Sequence, residues 1–77
     1  MKDILETMIK NLVTDIDSVS VIETLQDNEL KYQVRVNEKD IGRIIGKRGK
    51  VAQSIRTIVK AVAAKENKKV VNIEFID

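Results

Sequence analysis

An α+β fold of order α-β-β-α-α-β is predicted by three observations. An apolar repeat of helical spacing opens the chain, two alternating runs of opposite parity meet at Asp27-Asn28, and two helical segments punctuated by glycine precede a last alternating run. Asp3 with Glu6 three residues on has the form of a capping box, and Ile4, Leu5, Met8, Ile9 and Leu12 follow, so a first helix is expected over about residues 3–13. Val19, Val21 and Leu25 fall on odd positions; after "QDNE" the apolar residues Leu30, Tyr32, Val34 and Val36 fall on even ones. This is the pattern of a hairpin of half-buried strands turning at Asp27 and Asn28. Asp40 is placed to cap a short helix ending at Ile45 or Gly46. A longer helix is expected from about Lys50 to about Lys65, with Val51, Ala52, Ile55, Ile58, Val59 and Val62 on its apolar arc. "KENKK" forms a basic loop, and Val71, Ile73 and Phe75 alternate with Asn72 and Glu74 in a final strand. The hairpin makes strands one and two antiparallel, and the two-helix crossover returns strand three parallel to strand two. The expected architecture is a three-stranded mixed sheet with three helices on one face, and Tyr32 and Phe75 are expected in the core between them.

A chain of 77 residues has room for one domain, residues 1–77, which buries roughly 60% of the surface its unfolded chain exposes. It contains no cysteine and no histidine, so disulfides, the thiol nucleophile, the usual neutral-pH general base and the commonest metal ligands are all missing. Neither an enzyme nor a cofactor-binding protein is expected. The segment "MKDILETMIKNLVTDID" carries Asp3 and Glu6 and no apolar run of signal-peptide length. A soluble, cytoplasmic protein without a membrane partner is the expectation.

The net charge of +2 conceals a polarised distribution. Between Asp40 and Lys69 nine Lys/Arg stand against two acids, whereas the remainder has five basic and ten acidic residues. A basic half of this kind suits a polyanion. All three glycines of the chain lie within "DIGRIIGKRGKV", residues 40–51, among four basic side chains. Gly46-Lys47-Arg48-Gly49 sits at a helix-to-helix junction, and glycine there serves a sharp turn. The same two glycines leave the backbone open to close approach, just before a helix whose first N–H groups favour anions. Lys47 and Arg48 between them are like charges side by side, which an anion relieves. Ile44 and Ile45 offer an apolar floor on which a base can lie.

"IIGKRGKVA", set between two helices, resembles the I-G-x-x-G signature of KH domains, whose loop clamps about four single-stranded nucleotides by their backbone. A helix and a strand before a core βααβ resemble the type II (prokaryotic) KH arrangement. Nearly all of the chain is similar to the small bacterial single-KH proteins of the KhpA family, including "MKDILETMIKNLV" and "GKRGKVAQSIRTIVKAVAAKENKKVV". The resemblance implies an RNA-binding segment of Gly42, Arg43, Ile44, Ile45, Gly46, Lys47, Arg48, Gly49 and Lys50. It also implies a role as RNA chaperone or post-transcriptional regulator, in a system linked to cell elongation and envelope homeostasis. The implied partners are single-stranded RNA, a second copy of the chain, and a larger Jag-type RNA-binding protein (KhpB), with no small-molecule substrate. One departure stands out: Ala52 occupies the position of a large aliphatic residue, so a shallower groove floor and low sequence selectivity are expected.

Rival readings are separable. A dimerising adaptor with little RNA binding of its own would need only the packing surfaces. A helix-turn-helix DNA reader would use the glycine turn but lacks all-helical support. Gly42-x-x-x-Gly46-Lys47 is one residue short of a Walker loop and has Arg48 where Ser or Thr belongs. The GxxxG of Gly42 and Gly46 is interrupted by Arg43, and Lys47 follows it, which excludes an apolar membrane contact.

Overall fold

Helix formation begins at the second residue. In the computed structural model, which describes residues 1–77, α1 spans Lys2–Lys10, with Met1 at its N-cap and no capping side chain. The expected capping box is therefore not made. Asp3 lies inside the first turn, where its charge suits the positive end of the helix, and its carbonyl accepts the Thr7 hydroxyl at 2.9 Å. The regular helix stops short of residue 13, but the chain keeps turning, with Leu12 N–H and Val13 N–H donating to Ile9 O at 3.0 and 3.2 Å. Leu5 and Ile9, four apart and thus on one face, are fully buried.

Strand β1 (Ser20–Gln26) pairs antiparallel with β2 (Glu29–Arg35), Gln26 facing Glu29. The two residues left over, Asp27 (φ 51°) and Asn28 (φ 66°), both adopt left-handed backbone, the conformation of a type I′ hairpin. Leu30, Tyr32 and Val34 point inward from β2. The buried Tyr32 hydroxyl donates to Glu23 Oε2 at 2.8 Å; burial, and then the adjacent carboxylate, raise its pKa well above the ordinary phenol value.

Strand β3 (Lys69–Ile76) runs parallel to β2, giving the sheet order β1-β2-β3. Its parity corrects the sequence expectation. Leu30 pairs with Val70 but Lys31 pairs with Asn72, so Val71 is the additional residue of a bulge. Val70 therefore faces the core at 4% exposure and Val71 faces out, while Ile73 stays buried and Phe75 is half-buried.

Between these strands lie α2 (Ile41–Ile45) and α3 (Lys50–Lys65). The buried line of α3 is Ala52, Ile55, Val59 and Ala63, at steps of three, four and four residues. Ile58, expected on that arc, is 48% exposed, because Ala63 and not Ile58 continues the row. Asn67 (φ 58°) ends α3 as a left-handed C-terminal residue, with Lys68 N–H reaching Ala63 O at 3.0 Å and Asn67 N–H reaching Ala64 O at 3.1 Å, a Schellman closure built on asparagine. All three helices cover one face of the mixed sheet, as the sequence predicts. The opposite face, with Ile22, Thr24, Lys31, Gln33, Asn72 and Glu74, is open to solvent.

Candidate nucleic-acid interface

The short α2 ends where the chain reaches Gly46, at φ 73° and ψ 179°, a backbone conformation that is essentially glycine's own. A Cβ there would sit 2.7 Å from Val51 Cβ and closer still to Val51 Cγ2. Gly46 is thus required by the packing of the turn against α3. Arg48 (φ 57°, ψ 27°) and Gly49 (φ 73°, ψ 12°) both take left-handed backbone, and the turn delivers the chain directly into α3. A Cβ at Gly49 would meet nothing within 4 Å.

The start of α3 is electrostatically unbalanced. No side chain caps it, and its first turn contains no acid. Lys50 stands there instead, against the helix dipole by about 0.3–1 kcal/mol. Lys47, Arg48 and Lys50 are exposed. The chain's two ion pairs are Lys10 with Glu6 and Arg43 with Asp40, so none of these three cations has a carboxylate within 4.0 Å. Positive charge, left-handed backbone and an uncapped helix N-terminus converge on one exposed turn.

The structure distributes the other candidate residues unevenly. Gly42 is exposed on α2, and a Cβ added to it would meet nothing within 4 Å. Arg43, one residue on, has its side chain 61% exposed. Ile45 is 38% exposed beside the turn, but Ile44 is fully buried and belongs to the core. As a groove wall Ile44 is therefore corrected to a packing residue: α2 has one inward face, and Ile44 occupies it. Ala52 is likewise buried, at 2% exposure, so it offers no surface as a groove floor.

The basic half also divides. Arg56 stacks over Phe75, 5.2 Å from the ring centroid, and donates to Ile73 O at 3.3 Å, so it is engaged in holding α3 to β3. Lys65, Lys68 and Lys69 lie at the far end of the 16-residue α3, about 24 Å from its start at 1.5 Å per residue. There they share space with Glu66 and with the acidic hairpin tip, since Lys69 pairs with Glu29 and its N–H donates to Asn28 O at 2.9 Å. Only the turn end retains a clear excess of cations.

Asp40 does not cap α2 as expected. Its carboxylate is fully buried and turns away from the helix, accepting Thr14 N–H at 3.0 Å, the Thr14 hydroxyl at 2.8 Å and Asp15 N–H at 3.1 Å. Desolvation raises its pKa, but the donated hydrogen bonds outweigh that and hold the carboxyl below its ordinary value. Sequence reasoning missed this anchor because its partners lie 25 and 26 residues away, beyond any local pattern.

Comparison with known proteins shows the family. The family described as KhpA/KhpB, KH domain matches residues 2–74. RNA-binding protein KhpA of Clostridium perfringens is 45% identical over 76 residues, covering 99% of this chain and 100% of that protein. The protein of the same name in Listeria monocytogenes is 36% identical over 77 residues and the whole of both chains. That of Aquifex aeolicus is 38% identical over 71 residues, 92% of this chain and 90% of its own. No solved structure is matched. With the αββααβ order, the mixed sheet and a glycine-bounded turn between α2 and α3 all in place, the chain belongs to the KhpA/KhpB family of KH-domain proteins and has a type II KH fold.

Proposed function

We propose that the protein binds single-stranded RNA by its backbone at the Gly46-Lys47-Arg48-Gly49 turn, in the cytoplasm and without catalysis. The observation that carries this reading is the uncapped, acid-free start of α3 beneath three exposed cations that have no carboxylate partner. A phosphodiester supplies the missing negative charge. Gly42, Arg43, Ile45 and Lys50 complete the contact surface, and Ile44 supports it from within. With Ile45 as its only exposed large apolar residue, the surface reads backbone in preference to base. Low sequence selectivity follows, which suits an RNA chaperone or a broad post-transcriptional regulator. The names of its relatives, RNA-binding protein KhpA, support RNA as the ligand.

The test is a salt titration. Engagement of about three phosphates gives a slope of log affinity against log salt near −2 on single strands, from roughly −0.7 per phosphate. Duplex DNA is expected to bind clearly more weakly. A slope near zero contradicts phosphate clamping, and tight duplex binding favours a helix-turn-helix reader. One small groove binds weakly, and a homodimer or a pairing with a larger Jag-type KhpB protein raises avidity through effective concentration. Sedimentation with and without that partner is expected to exceed the 8.7 kDa of one chain; an 8.7 kDa species under both conditions contradicts it.

Gly42 provides a second test, because nothing in the fold requires a glycine there. It lies in a helix with negative φ and open space around it. Gly42→Ala is therefore expected to stabilise the protein by up to about 1 kcal/mol through helix propensity. RNA affinity is expected to fall, because a methyl group holds off a backbone that approaches α2 closely. Unchanged affinity in the stabilised variant removes Gly42 from the contact surface.

A further inference from the structure

Asp40 is the only charged residue among the buried side chains, and its position relative to the proposed RNA contact is specific. Oδ1 accepts both the N–H and the hydroxyl of Thr14, Oδ2 accepts the N–H of Asp15, and Oδ1 also lies 3.6 Å from Nε of Arg43, an ion-pair contact longer than a hydrogen bond. The segment it grips is itself fastened. Asp15 Oδ2 accepts the Ser18 hydroxyl at 2.7 Å and Asn37 Nδ2 at 3.0 Å. The connection from α1 to β1 is thus clipped twice to the chain entering α2.

Arg43 stands in α2, three residues beyond Asp40 and three residues before Gly46. Asp40 lies nearest its Nε, the Arg43 side chain is 61% exposed, and no hydrogen bond within the fold engages its terminal nitrogens Nη1 and Nη2. A guanidinium kept beside a fixed carboxylate, with its terminal nitrogens free of partners in the fold, has its fork available to a phosphate. We propose that Asp40 is a positioning residue for nucleic-acid backbone recognition: fixed by Thr14 and Asp15, its carboxylate holds Arg43 by Nε and presents the terminal nitrogens to a phosphodiester next to the one at the Gly46–Gly49 turn. This rests on the RNA reading above.

Simple electrostatics gives the opposite sign. Removing a negative charge near a polyanion site strengthens binding, whereas loss of a positioning carboxylate weakens it. The experiment is a double-mutant cycle in Asp40→Asn and Arg43→Ala, read as affinity for a short single-stranded RNA at fixed salt. Arg43→Ala is expected to lose about tenfold in affinity, the magnitude of one charge-assisted hydrogen bond, and about 0.7 of the salt slope. Asp40→Asn alone is expected to weaken binding by roughly three- to tenfold, and to add nothing in the Arg43→Ala background. Thr14→Val, which removes one donor to the carboxylate and leaves every charge in place, is read in the same cycle and covers the case in which Asp40→Asn does not fold. It is expected to lose roughly threefold, again only while Arg43 is present.

Stronger or unchanged binding in Asp40→Asn overturns the proposal. Equal losses with and without Arg43 also overturn it, since Asp40 then acts through the fold at large. A Lys47/Arg48→Asp variant run alongside separates the two levels. If that variant binds as the parent does, the RNA reading itself has failed; if it loses binding while the cycle shows no coupling, only the role of Asp40 has.

Discussion

Replacing Lys47 and Arg48 together with aspartate is expected to abolish most RNA binding and leave the fold intact. The formal charge changes by four units at the spot where α3 opens without a cap. Two charge-assisted contacts are lost and two repulsive ones introduced, so affinity falls by about a hundredfold or more. The fold tolerates the change for a local reason. Both side chains are exposed and neither has a carboxylate partner within 4.0 Å. Arg48 sits at φ 57°, a left-handed conformation that aspartate adopts more readily than most residues. Stability is expected to move by no more than about 0.5 kcal/mol, the usual range for surface positions. Lys2→Asp with Lys10→Asp makes the same charge change on α1, where it replaces the 3.7 Å pair of Lys10 with Glu6 by a like-charge contact one turn apart at a cost of roughly 0.2–0.5 kcal/mol, and is expected to leave binding nearly intact. Melting curves and RNA titration of both variants check this. Parental binding by a folded Lys47/Arg48 variant makes the turn a connection only, and the adaptor reading then stands.

Gly46→Ala is expected to be the most destabilising single change in the turn. Two costs act together. Alanine at φ 73°, ψ 179° is strained by about 1–3 kcal/mol. The new methyl group also drives into Val51, at 2.7 Å from its Cβ, and overpacking of that kind costs about 1–3 kcal/mol more. The sum is a large share of the roughly 4–12 kcal/mol expected for a domain of 77 residues. A fall in Tm of at least about 8 °C follows from the lower bound of about 2 kcal/mol. Gly49 supplies the contrast: its φ is also 73°, but open space surrounds it. Gly49→Asn, which tolerates left-handed backbone, is expected to cost less than about 1 kcal/mol. Equal Tm values for the two variants contradict the packing role of Gly46.

What the sequence disclosed, and what it hid, divides along the range of the interactions. Helical spacing placed α1 and α3, and opposite parities across Asp27-Asn28 placed the hairpin, because these are periodicities within single elements. The bulge at Val71 was invisible, since it arises from the register between β3 and β2 and not from β3 itself. Ile58, on the edge of the apolar arc expected for α3, is exposed while Ala63 is buried, and only the position of the sheet decides which of them is covered. Ile44 and Ile45 looked equivalent at the site, yet α2 turns one in and the other out. Asp40 looked like a helix cap, and its long-range clip to Thr14 and Asp15 could not be read locally. The turn itself was fully legible as a candidate, because its glycines and cations are contiguous in the chain.

The central claim, that the segment from Gly42 to Lys50 holds the RNA backbone, is tested most directly by following backbone amide resonances of the full chain during titration with a short single-stranded RNA of mixed sequence. The largest shifts are expected at Gly46, Lys47, Arg48, Gly49 and Lys50, with smaller ones at Gly42 and Arg43. Shifts centred instead on the open sheet face, at Ile22, Thr24, Gln33 and Asn72, with none between Gly46 and Lys50, would contradict it.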